Sequence, residues 1–190
     1  PVYTNAKIFD EAKLFCDWYV VANKNKKDIK KINLQLKKII KSLIKKIILK
    51  NDTFVHRDFH ISNIIPCKNS YGILDSQDAV IGNKAYDLAS LIDDVRLKTS
   101  YSFKEKIFKF YIKKQKKLDI KKFKNDFEIL SVLRNLKIIG IFTRLALRDR
   151  KKNYLRFIPY TWQLINMRID QNRTFIDLKN LLSQNFKKIK

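Results

Sequence analysis

Three oxygen-bearing side chains, those of Asp58, Asn63 and Asp75, have types and spacing that could serve phosphoryl transfer. Asp58 follows a predicted strand at residues 53–55, and Asn63 comes five residues after it. A carboxylate can accept the proton of an attacking hydroxyl. An amide oxygen beside a second carboxylate suits Mg²⁺, which prefers hard oxygen ligands. The three residues therefore predict one general base and two metal ligands.

A predicted β-hairpin brings the two metal ligands together. Residues 64–65 and 73–74 are apolar, and the segment between them contains Lys68, Asn69 and Ser70 with Gly72 close behind, which is typical of a hairpin. Folding the chain about Asn69 places residue 64 opposite 74 and residue 63 opposite 75. The side chains at positions 63 and 75 are therefore expected to meet at the open end of the hairpin.

The residues around Asp58 match a known catalytic-loop pattern. The triplet His-Arg-Asp at 56–58 is followed by four residues and then Asn63. In that pattern the Asp accepts the substrate proton and the Asn holds a metal ion. Asp75 is followed by Ser-Gln and not by the Phe-Gly of protein kinases, so the pattern argues against that class. Phosphoryl transfer depends mainly on positioning and on neutralisation of charge.

A wider set of motifs resembles the aminoglycoside phosphotransferase and choline kinase superfamily. These motifs are the loop at 56–63, Leu-Asp-Ser-Gln-Asp-Ala at 74–79, Gly82 and Ala-Tyr-Asp-Leu-Ala-Ser-Leu at 85–91. Residues 15–19 and 133–145, with Arg148 and Asp149, are similar to bacterial sugar kinases that phosphorylate the anomeric hydroxyl of N-acetylmuramate and N-acetylglucosamine. The resemblance covers roughly residues 8–170.

The resemblance implies that ATP is the phosphoryl donor and Mg²⁺ the metal. Asp58 would be the catalytic base, and Asn63 and Asp75 would bind the Mg²⁺. Asp87 would brace the catalytic loop from the first turn of the next helix. The resemblance gives four further residues a part in the site. His56 would orient the loop backbone, and His60, Arg57 and Asp78 would support the residues around it.

Each of these residues taken singly has another explanation. Asp58 could be a turn residue, Asn63 could cap a strand, and Asp87 could favour a helix N-terminus electrostatically. His60 could be a core histidine. The joint spacing, with both histidines of the chain inside it, favours the kinase interpretation.

The residues that contact the acceptor are less sharply defined. Ser76 stands where the family usually carries an aromatic residue, which loosens the packing beside the metal and leaves Gln77 and Asp78 as candidates for supporting positions there. Asp78 is also a candidate substrate contact. Arg134 and Arg144 lie on a predicted helix and could bind an anionic acceptor such as a lactyl carboxylate, because Arg holds carboxylates with two parallel hydrogen bonds. The alternative is that both arginines lie on a solvated basic face.

The periodicity of apolar residues predicts a mostly helical chain. Helices are expected at 9–23, 28–49, 85–98, 103–117, 126–148, 154–171 and 174–187. Gly82 and Asn83 are predicted to form a turn, and Asp93 and Asp94 to face solvent. The expected fold class is α+β, mostly α-helical: a protein-kinase-like C-terminal lobe with a small β-hairpin at the active site.

A chain of 190 residues suits one domain or one lobe of a larger domain. Its three glycines, Gly72, Gly82 and Gly140, are far apart, so the sequence contains no glycine-rich phosphate loop. The first residue, Pro1, also suggests a chain cut from a longer one. We therefore expect residues 1–190 to form the C-terminal lobe, with the N-terminal nucleotide lobe absent and the fragment alone inactive.

A formal net charge of +24 would ordinarily indicate a nucleic-acid partner. The lysines, however, run from Lys7 to Lys190 along predicted helix faces, which favours a compositional bias, and no nucleic acid is expected. Two cysteines indicate no disulfide framework. Neither a signal peptide nor a long apolar run is evident, so the expected location is the cytoplasm, without membrane contact.

These observations favour an ATP-dependent kinase acting on a small-molecule hydroxyl, with a cell-wall amino sugar as the acceptor. Aminoglycoside, choline and homoserine kinases are alternatives of the same class. A non-catalytic, kinase-like binding module is the competing class. The intact Asp58, Asn63 and Asp75 favour catalysis.

Overall fold

The computed structural model describes residues 1–186 and divides into two compact units. The first unit comprises Pro1–Thr4 and Ile48–Ser131, and the second comprises Asn5–Ile47 and Val132–Lys190. The predicted class, α+β and mostly helical, is confirmed. Within the described residues there are two small antiparallel sheets instead of one hairpin.

The helices are, in chain order, α1 (Asn5–Ala12), α2 (Val21–Asn23), α3 (Lys26–Lys45), α4 (Ala85–Ile92), α5 (Tyr101–Lys114), α6 (Ile120–Leu147), α7 (Ile158–Ile169) and α8 (Ile176–Asn185). A π-helix, Phe15–Val20, precedes α2, and short 3-10 turns occur at Ile61–Asn63, Ser76–Asp78, Lys152–Phe157 and Arg173–Phe175. The segment predicted as one helix at 9–23 is divided among the end of α1, the π-helix and α2. Each of the other predicted helices is present, with ends that differ by several residues. Residue 187 of the last predicted helix lies outside the described residues.

Two strand pairs form the sheets of the first unit. Strand β1 (Asn51–Val55) pairs with β4 (Val80–Asn83), and β2 (Ile64–Cys67) pairs with β3 (Ser70–Ile73). The turn predicted at Gly82 and Asn83 is therefore wrong, because both residues belong to β4. A Cβ on Gly82 would lie 3.1 Å from Val55 Cγ2 and 3.2 Å from Tyr3 Cβ. The close packing against the neighbouring strand therefore explains why a glycine occupies position 82.

The end of α4 also departs from the prediction. The helix ends at Ile92, and Asp93 and Asp94 are buried, not solvent-facing. Lys104 of α5, itself buried, lies 3.5 Å from the Asp93 carboxylate, and Ser131 Oγ donates to the same carboxylate over 2.5 Å. Buried charges are stable only when paired and hydrogen-bonded, and this pairing is what allows Asp93 to lie inside.

In the second unit, α3 carries the apolar stripe that its sequence predicts. The buried members are Ile32, Leu36, Ile40, Leu43 and Ile44. Gly140 of α6 faces the backbone that enters the π-helix: a Cβ there would lie 2.3 Å from the carbonyl carbon of Leu14 and 2.6 Å from the nitrogen of Phe15. Only a glycine permits this approach. No helix within residues 1–186 is long and apolar enough to cross a membrane.

Candidate functional site

The hairpin register differs by one residue from the prediction. Ile64 lies opposite Ile73 and Cys67 lies opposite Ser70, so that residues 68–69 form a two-residue loop. The predicted pairing of 64 with 74 was therefore wrong. Two-residue loops are the commonest closure of an antiparallel pair, but the residues of this segment do not distinguish a two-residue loop from a three-residue loop. Asn63 consequently lies opposite Leu74, one position before Asp75.

The peptide that precedes Asp75 is held from both sides. The main-chain N–H of Leu74 donates to the carbonyl of Asn63 over 2.9 Å. Its carbonyl lies 2.8 Å from Nε2 of His56; since a carbonyl only accepts, Nε2 carries the proton. Asp75 itself adopts a left-handed conformation, with φ 65° and ψ 41°, which is uncommon outside glycine. These constraints fix the backbone from which the Asp75 side chain projects.

Asp87 in the first turn of α4 holds the backbone of the catalytic loop. One of its carboxylate oxygens accepts the N–H of His56 over 2.6 Å, and the other accepts the N–H of Arg57 over 3.0 Å. Arg57 also has a left-handed backbone, with φ 74°, and its Nη1 donates to the carbonyl of Asp78 over 3.1 Å. The two hydrogen bonds from the backbone of residues 56 and 57 to the Asp87 carboxylate are the contacts that the predicted bracing role of Asp87 requires.

Asp58 has a fixed backbone and an open side chain. Its carbonyl accepts the N–H of His60 over 3.0 Å and Nδ2 of Asn63 over 2.9 Å. Its carboxylate is exposed. Across residues 1–186 the carboxylates of Asp58 and Asp75 have neither a hydrogen bond nor an ion pair. His60 is buried beside this turn.

The oxygen atoms of Asn63 and Asp75 fit Mg²⁺. Because Nδ2 of Asn63 is engaged by Asp58, Oδ1 is the atom left for a metal. In the described part of the chain no group of three or more His, Cys, Asp or Glu side chains is arranged for a metal ion. A site of one carboxylate and one amide oxygen suits Mg²⁺, which keeps several waters and is bound largely through substrate phosphates.

Asp94 is a loop contact that the sequence did not reveal. Only 2% of the residue is exposed. Its carboxylate accepts the N–H of Ile61 over 3.2 Å and that of Arg96 over 2.9 Å. Ile61 begins the 3-10 turn that ends at Asn63, so Asp94 holds this turn from the far end of α4.

Asp126 of α6 is a second buried carboxylate that the sequence did not reveal. It accepts the main-chain N–H groups of Ile48 and Leu49 over 2.9 and 2.8 Å, and Nδ2 of Asn83 over 2.7 Å. Asn83 Oδ1 in turn accepts the N–H of Ala85, the first residue of α4. The start of the helix that carries the brace is therefore anchored by Asp126.

A cavity of about 420 Å³ opens beside the catalytic loop. It is lined by Phe54, His56, Phe59, Ile73, Ser76 and Asp87. Its walls combine apolar side chains with a few polar groups, as small-molecule sites do.

The candidate acceptor contacts lie in different places. Asp78 is exposed in the first unit, whereas Arg134 and Arg144 belong to the second. Ten residues of helix separate the two arginines, which is about 15 Å along the axis. The two arginines therefore do not lie side by side on the helix. Arg144 is half-buried, and Arg134 is buried.

Comparison with known proteins gives a consistent result. A family model described as the phosphotransferase enzyme family matches residues 4–118. Curated proteins named N-acetylmuramate/N-acetylglucosamine kinase are similar. The Neisseria meningitidis protein is 30% identical over 84% of this chain and 49% of its own length. The Pseudomonas aeruginosa protein is 28% identical over 96% of the chain and 56% of its own. The chain spans about half the length of these two relatives.

Proposed function

Because the chain belongs to the phosphotransferase enzyme family, we propose that it supplies the catalytic loop and metal ligands of an ATP-dependent kinase acting on a cell-wall amino sugar. The proposal rests mainly on the backbone contacts of Asp58 and on the exposure of its carboxylate. Its backbone is fixed by two hydrogen bonds to its carbonyl, while its carboxylate is exposed and has no partner within residues 1–186. A general base needs this combination of fixed position and free oxygen atoms.

Asp58 accepts the proton of the acceptor hydroxyl as that oxygen bonds to the γ-phosphorus of ATP. The bond from the γ-phosphorus to the bridging oxygen breaks, and ADP leaves. Asn63 Oδ1 and the Asp75 carboxylate would hold Mg²⁺, which would neutralise charge on the phosphates. His56 and Asp87 position the loop through the contacts described above.

The names of the relatives support an amino sugar as the acceptor. Charge supports the same choice over an aminoglycoside. Residues 101–170 hold many Lys and Arg residues and few acids, and such a segment repels a polycation and tolerates a carboxylated sugar. N-acetylmuramate and N-acetylglucosamine are therefore the proposed acceptors.

The nucleotide lobe is proposed to lie outside this chain. The proposal is supported by the length of the relatives and by the three widely separated glycines. Mg²⁺ held by Asn63 and Asp75 alone would bind weakly. Calorimetric titration of ATP and Mg²⁺ into the 190-residue chain should show little or no binding, and tight, specific binding would contradict this part of the proposal.

The acceptor is tested by measuring phosphate transfer from ATP by the full-length protein. N-acetylmuramate, N-acetylglucosamine, kanamycin and choline are compared in parallel, with the Asp58→Asn variant as the blank. We expect transfer to the two sugars only. A preference for kanamycin or choline would overturn the acceptor and leave the kinase class standing, whereas a finding that none of the four is phosphorylated would count against the kinase.

A further inference from the structure

Tyr3 is a buried aromatic residue of the first unit, and it contacts the catalytic loop from a distant part of the sequence. Its backbone adds a short parallel segment to β4. The N–H of Tyr3 donates to the carbonyl of Ile81 over 2.8 Å, and the N–H of Ile81 donates to the carbonyl of Pro1 over 2.9 Å. Nδ2 of Asn51 donates to the carbonyl of Tyr3 over 2.9 Å. Only 2% of Tyr3 is exposed, so both its backbone and its ring are held in place.

The ring of Tyr3 lies against the residue immediately before the proposed base. The central guanidinium carbon of Arg57 is 5.4 Å from the centroid of the ring, which is the geometry of a cation–π contact. Arg57 has a left-handed backbone, with φ 74°, and a residue with a long side chain keeps this conformation only when its surroundings impose it. Since Asp58 follows directly, a shift of Arg57 would move the base.

The same guanidinium also reaches the turn that follows Asp75. Its Nη1 donates to the carbonyl of Asp78 over 3.1 Å. Asp78 ends the short 3-10 turn that begins directly after Asp75. Tyr3 therefore supports, through Arg57, both the backbone that carries the proposed base and the turn beside a proposed metal ligand.

A second face of the Tyr3 contact involves Tyr86, the residue immediately before the bracing Asp87. The two rings meet edge to face, with centroids 5.1 Å apart and an interplanar angle of 88°, an arrangement that aromatic pairs favour. The two hydroxyl oxygens are 3.4 Å apart. Because the Asp87 carboxylate accepts the N–H of Arg57, Tyr3 packs against the neighbour of the acceptor and against the donor residue itself.

We propose that Tyr3 is a positioning residue of the phosphoryl-transfer site. Its ring holds the Arg57 guanidinium and so sets the backbone from which the Asp58 carboxylate projects. The inference rests on the proposed function and adds to the site a residue that lies outside the catalytic-loop motif. Tyr3 acts through Arg57 and not by contact with the substrates, so its loss should lower the rate of phosphate transfer and leave the affinity for the sugar unchanged.

The test compares the full-length wild type with Tyr3→Phe, Tyr3→Leu and Phe123→Leu. Phe123 is a fully buried aromatic residue of the same unit, and its ring stacks on that of Tyr111 with centroids 5.3 Å apart. Phe123→Leu removes a buried ring of similar size and is therefore the matched control for a loss of stability. All rates are measured well below the Tm of every variant.

For Tyr3→Leu, kcat should fall about 3- to 30-fold with both amino sugars, the range expected when a desolvated cation–π contact is lost. KM for the sugars should stay unchanged. Tyr3→Phe keeps the ring and should match the wild type, whereas Phe123→Leu should lower Tm without lowering kcat. The proposal would be overturned by equal losses of kcat in Tyr3→Leu and Phe123→Leu, or by a Tyr3→Phe variant as slow as Tyr3→Leu.

A double-mutant cycle tests whether Tyr3 acts through Arg57. Arg57→Met removes the guanidinium and keeps an unbranched side chain. If the guanidinium transmits the effect of the ring, Tyr3→Leu should hardly lower kcat further in the Arg57→Met background. Fully additive effects of the two substitutions would contradict the proposed route.

Hydrogen exchange tests the same proposal without any enzymatic assay. The N–H groups of His56 and Arg57 are bound by Asp87. In Tyr3→Leu both should exchange several-fold faster than in the wild type, in Tyr3→Phe and in Phe123→Leu. Unchanged exchange would reject the positioning role. If the wild type phosphorylates none of the proposed acceptors, the proposed function fails by itself, and the exchange rates alone decide whether Tyr3 holds the loop.

Discussion

Nε2 of His56 lies 2.8 Å from the carbonyl oxygen of Leu74, so a side chain of the catalytic loop holds the peptide immediately before Asp75. The N–H of the same Leu74 is bound to the carbonyl of Asn63. The residue proposed as a metal ligand on the hairpin is thus tied to the loop that carries the proposed base. Substitutions in the loop are therefore expected to weaken binding of the metal and of the nucleotide.

Replacing His56 with Phe keeps a ring of similar shape and removes the hydrogen bond to Leu74. We expect KM for Mg-ATP to rise about tenfold, the cost of one net hydrogen bond, because the backbone that carries Asp75 is held less firmly. Steady-state kinetics of the full-length protein at several Mg²⁺ concentrations measures the change. Ser62→Ala, an exposed change in the same loop, is the control. An unaltered KM in His56→Phe would show that the contact does not position Asp75.

Replacing Asp58 with Asn keeps the size of the side chain and removes the base. Turnover should fall by at least about 10²-fold, as is typical when a general base is lost. Nucleotide affinity should hardly change, whereas Asp75→Ala should weaken it. Discontinuous rate assays measure turnover and nucleotide titrations measure affinity, so together they separate the two effects. The assigned roles would be wrong if the Asp58 variant lost nucleotide affinity and kept its rate.

Local spacing in the sequence was sufficient to place the catalytic loop, the hairpin and the helix that carries Asp87. It was not sufficient for the register of the hairpin, because loops of two and three residues are both compatible with the residues between the strands. The contacts of Asp94 and Asp126 join residues 33 and 78 positions apart. No local pattern distinguishes such a buried carboxylate from one on a solvated helix face, so only the fold reveals these contacts.

Asp94→Ala tests whether the residues that follow α4 hold the catalytic loop. The substitution removes both carboxylate oxygens, of which one accepts the N–H of Ile61 and the other accepts the N–H of Arg96. We expect faster hydrogen exchange at the Ile61 amide and a several-fold lower turnover, since leaving a buried donor unsatisfied costs about 1–3 kcal/mol. Exchange monitored by mass spectrometry, with the exposed Asp52→Ala as control, provides the measurement. Unchanged exchange at Ile61 would contradict the role of Asp94.

The two cysteines should differ sharply in reactivity. Both are free thiols, Cys67 exposed and Cys16 buried. Burial raises the pKa of Cys16 from 9.0 to about 12. A thiol reacts as its thiolate, so at pH 8 only about one Cys16 in 10⁴ is reactive, apart from its limited access. Alkylation of the native protein should label Cys67 alone, and denaturant should expose the second thiol. Equal labelling rates in the native protein would show that the π-helix region opens readily.

Gly140→Ala should be strongly destabilising, although it adds a single methyl group and favours a helix intrinsically. The new Cβ would lie 2.3 Å from the carbonyl carbon and 2.5 Å from the carbonyl oxygen of Leu14. Both are backbone atoms, so no side chain can rotate away and α6 or the start of the π-helix must shift. Overpacking of this kind costs about 1–3 kcal/mol or more.

Gly72→Ala is the matched control for this substitution. At Gly72 the nearest atom to an added Cβ is Sγ of Cys67 at 3.6 Å, an ordinary contact, and the residue has no positive φ. Thermal and urea unfolding of the two variants should therefore show a clear loss of stability for Gly140→Ala and almost none for Gly72→Ala. Equal stability of the two variants would mean that α6 does not approach the residues before the π-helix as closely as described.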